Sequence, residues 1–187
     1  FADANHHIVD DPRVHIVYDD ARHFMLTTKE KFDIITSDPI HPWVKGSAVL
    51  YSKEYFHLER EHLKPGGVAT QWVPLYQSSE STIKCEIATF MNAFPEGTVW
   101  ANLENGQGYD LVLMGGAERP VINLDEVSSR LSRPDYGPLV ASMREVGFAT
   151  WSDLLYTYAG RNRDLQPWLS GAFLNEDGSL KLQFQAG

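Results

Sequence analysis

The sequence lacks most of the features that assign a chain to a specialised class of protein. Cys85 is the single cysteine among 187 residues, so an internal disulfide is excluded. No apolar run approaches the ~20 residues that a membrane-spanning helix needs. The first residues also lack the charged and then apolar pattern of a signal peptide. These absences predict a cytoplasmic protein with no membrane contact through this chain.

Basic side chains are scarce as well. The chain has 16 lysines and arginines against 25 aspartates and glutamates, and its formal net charge is −9. A negative field repels the phosphate backbone of a nucleic acid, so we expect no nucleic-acid partner. The same field attracts a small cation, which is the kind of substrate that this composition favours.

Several common site motifs are absent. The pair His6-His7 has no cysteine or carboxylate at a supporting spacing, which favours a solvated turn over a metal site. The glycines at 66–67 follow a predicted helix and those at 106–108 fall in a predicted hairpin, so neither stretch is typical of a phosphate-binding loop. The sequence therefore predicts no metal, and any chemistry comes from ordinary side chains.

The chain does contain an alternation of β-branched runs and helical patterns. Strands are predicted at 14–18, 32–37, 68–73, 98–102 and 109–114, and helices at 21–28, 52–63 and 81–94. The glycines between the last two strands favour an antiparallel hairpin. This order predicts an α/β fold, in which part of a doubly wound, Rossmann-like sheet carries an antiparallel edge.

The pattern changes after Gly116. Short helices are predicted at 124–131, 139–146 and 151–158, separated by prolines and glycine. We therefore expect a Rossmann portion at 1–118 and a helical C-terminal extension at 119–187. No cofactor motif occurs in this extension, so a cap or an oligomer interface is its expected role.

The predicted strand at 32–37 ends directly before Asp38, and two prolines then force an open loop. Ligands bind at the carboxyl ends of strands in open α/β sheets. A carboxylate there can hold an ammonium group and take its proton, although Asp38 can also simply order its own loop. His41 follows in the same loop, either as an aid to proton transfer or as an ordinary surface residue.

Asp20 ends the first predicted strand and precedes a helix. Its carboxylate can accept a hydrogen bond from the exocyclic amine of an adenine, and the N–H of Ala21 offers a donor beside it. The alternative is that Asp19 or Asp20 only caps the helix.

Polar and aromatic side chains surround the same strand ends. Gln71 stands in the third predicted strand where Val or Ile would be usual, and it either orients a substrate or satisfies a neighbouring backbone group. Aromatic rings nearby can hold a cation, wall an aliphatic chain or pack as core; these are Trp43, Tyr51, Trp72 and Tyr76.

A series of short motifs occurs in a fixed order along the chain: Asp11-Pro12-Arg13-Val14, Asp20-Ala21-Arg22, Phe32-Asp33-Ile34-Ile35, Asp38, Leu50-Tyr51-Ser52, Tyr55-Phe56, Leu63-Lys64-Pro65-Gly66-Gly67 and Gln71. This ordered series resembles the spermidine synthases over roughly residues 9–116. The stretches 38–43 and 71–76 are most similar to the spermidine synthase-like domains that some bacteria fuse to membrane segments.

The resemblance implies a methyltransferase-type Rossmann fold and transfer of an aminopropyl group from decarboxylated S-adenosylmethionine to a polyamine such as putrescine. It implies that Asp20 binds adenine, that Asp38 is the catalytic aspartate and that Gln71 belongs to the substrate pocket. It implies no metal, and a homodimer or a larger oligomer built from dimers.

The chain departs from the family pattern at two places. His41 stands where the family usually has a second aspartate, which predicts weaker polyamine binding or a different acceptor. The upstream half of the family domain, with its glycine-rich cofactor loop, does not occur in this sequence. We therefore expect an aminopropyltransferase domain that is inactive as a fragment unless something completes it. The alternatives are a non-catalytic dimerising or regulatory remnant and an S-adenosylmethionine-dependent methyltransferase.

Overall fold

One mixed sheet of five strands organises the computed structural model, which describes residues 7–37, 41–104, 107–119 and 121–185. The strands are β1 (Phe32–Ser37), β2 (Leu63–Pro74), β3 (Thr98–Glu104), β4 (Gln107–Gly116) and β5 (Tyr158–Arg161), in the spatial order β1-β2-β4-β3-β5. β1 and β2 are parallel, and the other neighbours are antiparallel. The predicted α/β class and the antiparallel hairpin of β3 and β4 are confirmed.

Eight α-helices accompany the sheet in the described residues. They are α1 (Ala21–Thr27), α2 (Lys53–His62), α3 (Glu80–Ala93), α4 (Leu124–Leu131), α5 (Gly137–Glu145), α6 (Trp151–Leu155), α7 (Asn162–Leu169) and α8 (Lys181–Gln185). Side-chain caps fix several of the helix starts, among them those of α2 and α3. The hydroxyl of Ser52 accepts from the N–H of Tyr55 at 3.3 Å, and that of Ser79 accepts from the N–H of Thr82 at 3.2 Å.

Successive side chains along β2, β3 and β4 point to opposite faces of the sheet. Gln71, Leu113 and Val99 stand opposite one another in register and are all buried. They lie on the face of the sheet that holds the core with α2 and α3, where Phe56 and Phe90 pack edge to face. Trp72 and its neighbours on the other face line a cavity beneath α4, α5 and α6.

The strand predicted at 14–18 is wrong, because these residues have no regular secondary structure. Ile16 and Val17 are exposed, and Tyr18 is 94% exposed. A strand persists only when a neighbour satisfies its backbone groups, and this segment does not pair with β1 at the edge of the described sheet. The β-branched pattern was present, but its pairing partner was not.

The C-terminal region is not only helical. The helix predicted at 151–158 ends at Leu155, and β5 then adds to the edge of the sheet beside β3. The N–H of Ala101 donates to the carbonyl of Thr157 at 2.6 Å, and the rings of Trp100 and Tyr158 pack edge to face at 5.4 Å. Leu169 and Leu182 also join the core. The division between 1–118 and 119–187 stays a prediction.

Gly115 on β4 packs against the ring of Phe94, and a methyl group at this position would have no room. An added Cβ would lie 2.6 Å from the Cβ of Phe94, whose side chain is buried and cannot move aside. We therefore expect Gly115→Ala to lower the free energy of unfolding by about 2 kcal/mol, measured by urea titration. Gly178→Ala is the control, since nothing lies within 4 Å of its added Cβ. Equal stabilities of the two variants would contradict this packing.

Candidate active site

Four aromatic rings meet beside the carboxyl ends of β1 and β2. The imidazole of His41 stacks on Trp43 with centroids 4.5 Å apart and planes at 15°. It also lies 5.5 Å from the ring of Trp72 and edge-on to Tyr76 at 5.8 Å. We call these four residues the aromatic cluster. The structure thus brings together four residues that the sequence indicated separately: His41, Trp43, Trp72 and Tyr76.

The aromatic cluster continues onto β4, where it acquires a carboxylate. Tyr109 lies 5.0 Å from Tyr76, and the indole N–H of Trp72 donates to Oδ2 of Asp110 at 2.8 Å. Burial raises the pKa of the Tyr76 phenol, and the nearby Tyr109 and Asp110 raise this pKa further. Asp110 was not predicted as a site residue. The sequence feature that could have identified it is an acidic residue within an apolar strand next to a hairpin.

The cluster has the composition of a cation-binding site. Faces of tryptophan and tyrosine rings attract ammonium groups, and a carboxylate beside them supplies the opposite charge. Nδ1 of His41 is buried and has no hydrogen-bond partner among the described residues. A buried nitrogen without a partner is an unsatisfied polar group, which is uncommon in folded proteins.

Asp38 lies outside the described residues, so its proposed chemistry stays a prediction. The residues on both sides of it, up to Ser37 and from His41 onward, are described. Ser37 ends β1 and stands in register with Gln71 of β2. Ser37 is thus at the carboxyl end of the parallel pair of strands, and Asp38 is the next residue in the sequence.

Gln71 lies on the opposite face of β2 from Trp72, because successive side chains of a strand alternate. It is 1% exposed, and its amide nitrogen donates to the carbonyl of Trp72 at 3.1 Å. Its Oε1 is buried without a hydrogen-bond partner in the described part of the chain. The amide therefore does satisfy a neighbouring backbone group, which was the alternative interpretation, and its role in substrate binding stays a prediction.

Asp20 is the N-cap of α1. Its Oδ1 accepts from the N–H of His23 at 3.0 Å, as the capping interpretation predicts. Ala21 is the first residue of the helix, where a backbone N–H has no helical carbonyl to bind. None of the ring contacts or hydrogen bonds described for the aromatic cluster includes either residue. Binding of a cofactor at Asp20 and Ala21 therefore stays a prediction.

Two larger features are absent from the described residues. Within 7–37, 41–104, 107–119 and 121–185, no group of three or more histidine, cysteine, aspartate or glutamate side chains is arranged to hold a metal ion. Over the same residues, no helix has both the length and the apolar composition needed to cross a membrane.

The first half of the chain matches a known protein family. Residues 2–95, about half of the chain, match the model of the spermine/spermidine synthase domain. The chain belongs to the spermine/spermidine synthase family. The matched segment contains the predicted cofactor, catalytic and substrate residues, which are Asp20, Ala21, Asp38, His41, Trp43, Gln71 and Tyr76.

Curated relatives agree with this assignment. The polyamine aminopropyltransferase of Saccharolobus solfataricus is 31% identical over 139 residues, which are 70% of this chain and 44% of the relative. Polyamine aminopropyltransferase 1 of Pseudomonas aeruginosa is 42% identical over 59 residues, which are 32% of this chain and 20% of the relative. The chain thus spans less than half the length of these two relatives.

A solved structure shows the same fold. The crystal structure of a probable spermidine synthase from Corynebacterium glutamicum superposes with a TM-score of 0.54 at 21% identity. The superposition covers 89% of this chain and 55% of the other. The sheet and its helices therefore have the methyltransferase-like fold of spermidine synthases.

Proposed function

We propose that this chain carries the amine-binding side of an aminopropyltransferase, which transfers an aminopropyl group from decarboxylated S-adenosylmethionine to a primary amine. The family match over residues 2–95 carries this proposal, because that segment contains the proposed base Asp38 and the aromatic residues His41, Trp43 and Tyr76. The cluster of these rings supports it independently, since it is suited to an ammonium group.

A polyamine is the acceptor that the names of the relatives suggest. The net charge of −9 favours such a cation through long-range attraction. Putrescine is therefore the first acceptor to test.

In the proposed reaction, the carboxylate of Asp38 accepts a proton from the acceptor ammonium. The nitrogen of the resulting neutral amine then attacks the aminopropyl carbon that is bonded to the sulfonium. The new N–C bond forms as the C–S bond breaks. The electron pair of the C–S bond stays on sulfur, so methylthioadenosine departs as a neutral molecule. The secondary ammonium product then loses its extra proton to solvent. A positioned base is required because the protonated amine has no lone pair for attack.

The donor would be held in part by Asp20 and Ala21. Oδ2 of Asp20 makes no hydrogen bond to the described residues, so it is available to the exocyclic amine of an adenine while Oδ1 caps α1. The N–H of Ala21 would donate to a ring nitrogen of the adenine. Calorimetric titration of the chain with methylthioadenosine tests the proposed donor binding separately from the transfer reaction.

Product analysis tests the proposed activity directly. The chain is incubated with putrescine and either decarboxylated or ordinary S-adenosylmethionine, and the products are identified by mass spectrometry. Spermidine formed with the decarboxylated donor is the expected result. A methylated product would support a methyltransferase instead, and no product with either donor would support a non-catalytic module.

Replacement of Asp38 by asparagine tests its role as the base. We expect Asp38→Asn to lower the rate of aminopropyl transfer at least ~100-fold, because an amide cannot accept the proton. The affinity for methylthioadenosine should be unchanged. Asp33→Asn is a matched control, since the side chain of Asp33 is 79% exposed and pairs with Lys64 at the surface. Equal rates for Asp38→Asn and Asp33→Asn would contradict the assignment.

The homodimer and the cytoplasmic location implied by the resemblance remain parts of this proposal. Exposed apolar side chains support self-association, since Ile34 on β1 is 66% exposed and Val17 is 57% exposed. Sedimentation equilibrium of the purified chain measures the oligomeric state.

A further inference from the structure

A large cavity lies between the open face of the sheet and the C-terminal helices, and its volume is about 1090 Å³. Its two walls differ in chemistry. The lining residues of α4, α5 and α6 are leucine, valine, methionine or tryptophan, such as Leu131, Leu139 and Met143. The wall on the sheet side also carries hydroxyl, amide and carboxyl groups, from residues such as Thr36 and Asn102. The cavity therefore offers apolar contacts on one side and hydrogen bonds on the other.

Asp110 is the one charged side chain among the described residues that line this cavity. The indole N–H of Trp72 donates to its Oδ2 at 2.8 Å, and the hydrogen bonds described for this carboxylate do not involve Oδ1. Asn102 stands directly opposite Asp110 on β3 and also lines the cavity. Oδ1 of Asp110 and the amide oxygen of Asn102 can therefore both accept hydrogen bonds from one ammonium group.

The aromatic cluster adjoins this carboxylate. The ring of Trp72 lies 6.1 Å from that of Tyr76, and Tyr109 on β4 lies beside Tyr76. Faces of indole and phenol rings attract ammonium groups. Because Trp72 bonds Asp110 directly, an ammonium group paired with Asp110 also lies next to an aromatic ring.

The sheet register gives the separation between Asp110 and the proposed reaction centre. Ser37, which directly precedes Asp38 in the sequence, pairs with Gln71 of β2. Asp110 of β4 pairs with Pro74 of β2. Ser37 and Asp110 are thus two strand spacings apart across the sheet, about 10 Å, and three residues apart along β2, about another 10 Å. Their Cα atoms are therefore about 14 Å apart.

A four-carbon diamine has a length that matches this separation. Its nitrogens are about 6 Å apart in the extended form, and a hydrogen bond of about 2.8 Å at each end gives about 12 Å between the accepting oxygens. A monoamine with four carbons can pair with only one of two carboxylates at this spacing. The separation therefore favours an acceptor with two ammonium groups, one for Asp38 and one for Asp110.

We propose that Asp110 determines the acceptor specificity of this protein by holding the second, non-reacting ammonium group of a diamine, while Asp38 takes the proton of the first. This inference rests on the proposed aminopropyl transfer and assigns a further residue to acceptor selection. The methylene chain between the two nitrogens contacts the apolar wall of the cavity. The second ammonium group is unchanged when the first nitrogen attacks, so Asp110 contributes to acceptor binding and not to bond formation.

The apolar wall strengthens this selection. A diamine that binds in the cavity with its second ammonium group away from Asp110 would place that charge against leucine and methionine side chains such as Leu139 and Met143. Burial of an unpaired charge is strongly unfavourable. Among the described lining residues, only Asp110 supplies the opposite charge.

Calorimetric titration of the 187-residue chain at neutral pH tests the proposal with two amines of equal length. Putrescine has four carbons and two ammonium groups, and butylamine has four carbons and one. We expect putrescine to bind at least ~10-fold more tightly than butylamine, because only putrescine pairs with both carboxylates. Equal affinities for the two amines would overturn the proposal without the need for a variant.

The variant Asp110→Asn locates the second ammonium group. We expect it to weaken putrescine binding about 10-fold and to leave butylamine binding unchanged, because only the pairing of the second charge is lost. Unchanged butylamine binding also shows that the variant is folded.

The matched control is Asp125→Asn, which removes the same charge from an exposed position on α4 that does not line the cavity. This control should bind putrescine as tightly as the unmodified chain does. Putrescine binding to Asp110→Asn that is as tight as binding to this control would overturn the role of Asp110.

Binding and transfer measurements together separate the inference from the proposed function. Putrescine binding that depends on Asp110, without transfer of an aminopropyl group to any amine, would overturn the proposed function and leave Asp110 standing as an ammonium site. Spermidine formation with the same KM for putrescine in Asp110→Asn and in the unmodified chain would do the reverse.

Discussion

Replacement of Asn175 by alanine is expected to lower the free energy of unfolding by about 3 kcal/mol, because it leaves two buried backbone groups without partners. Asn175 is completely buried where the C-terminal segment crosses α2 and α3. Its Nδ2 donates to the carbonyl of Ala48 at 2.7 Å, and its Oδ1 accepts from the N–H of Leu182 at 3.3 Å.

The backbone of Asn175 belongs to the same network. Its N–H donates to the hydroxyl of Thr89 at 2.9 Å, and its carbonyl accepts from the N–H of Lys53 at 2.8 Å. Alanine keeps these two bonds and loses only those of the side chain. The expected loss is therefore set by the orphaned carbonyl of Ala48, the orphaned N–H of Leu182 and the small cavity that remains.

Urea titration followed by circular dichroism measures this effect. Asn92→Ala is a suitable control, since Asn92 is exposed on α3 and its side chain contacts only His57 among the hydrogen bonds described. We expect the control to change stability by no more than ~0.5 kcal/mol. A loss in Asn175→Ala no larger than in this control would show that the C-terminal segment does not depend on this residue.

Replacement of Glu59 by glutamine is expected to raise the free energy of unfolding by about 3 kcal/mol at pH 7 and to have little effect near pH 4. Glu59 on α2 is 1% exposed, and both carboxylate oxygens lack a hydrogen-bond partner in the described residues. Burial raises the pKa of Glu59 from 4.5 to about 8. Glu86 on α3 is also buried without a partner, and burial raises its pKa well above the ordinary range.

The direction of the pH dependence follows from proton binding. Between pH 4.5 and about 8 the folded chain keeps a proton on Glu59 that the unfolded chain has released. The folded state binds more protons over this interval, so the free energy of unfolding falls as the pH rises. The contribution of Glu59 to stability is fully present below pH 4.5 and is lost as the pH rises through its folded pKa of about 8. The neutral amide of glutamine removes the contribution of Glu59 to this slope.

Urea titrations at several pH values between 4 and 9 measure the slope for both proteins. Glu61→Gln is the matched control, because Glu61 lies on the same helix with an exposed side chain. We expect Glu61→Gln and the unmodified chain to have the same slope of unfolding free energy against pH. Parallel pH profiles for Glu59→Gln and the unmodified chain would contradict the raised pKa of Glu59.

Local patterns in the sequence were sufficient for most elements that pack on the core. The helical spacing of apolar residues predicted α3 within one residue at each end, and the glycines at 104–108 predicted the β3-β4 hairpin. The β-branched segment at 14–18 was predicted as a strand and is wrong, since strand formation needs a partner that local sequence does not specify. β5 was missed for the complementary reason, because its short sequence becomes a strand only through its pairing with β3.

In the candidate site, too, local sequence identified individual residues but not the contacts between distant ones. His41, Trp43 and Tyr76 were predicted one by one from their positions after strands, and the structure packs them into one cluster. Gln71 was predicted beside them, but strand alternation places it on the other face from Trp72. Asp110 was missed because it joins the cluster across an antiparallel pair of strands, more than thirty positions along the chain from Tyr76.

By itself the sequence determined the family, the order of helices and strands from α1 to β4 and the position of Asp38 directly after β1. These properties depend on residues that are near one another in the chain, so short patterns contain them. Only the tertiary structure decided which face of the sheet each side chain occupies, that Asp110 accompanies the aromatic cluster, and that a cavity with one carboxylate lies beneath α4, α5 and α6. These properties depend on strand register and on the packing of distant helices, which no local pattern encodes.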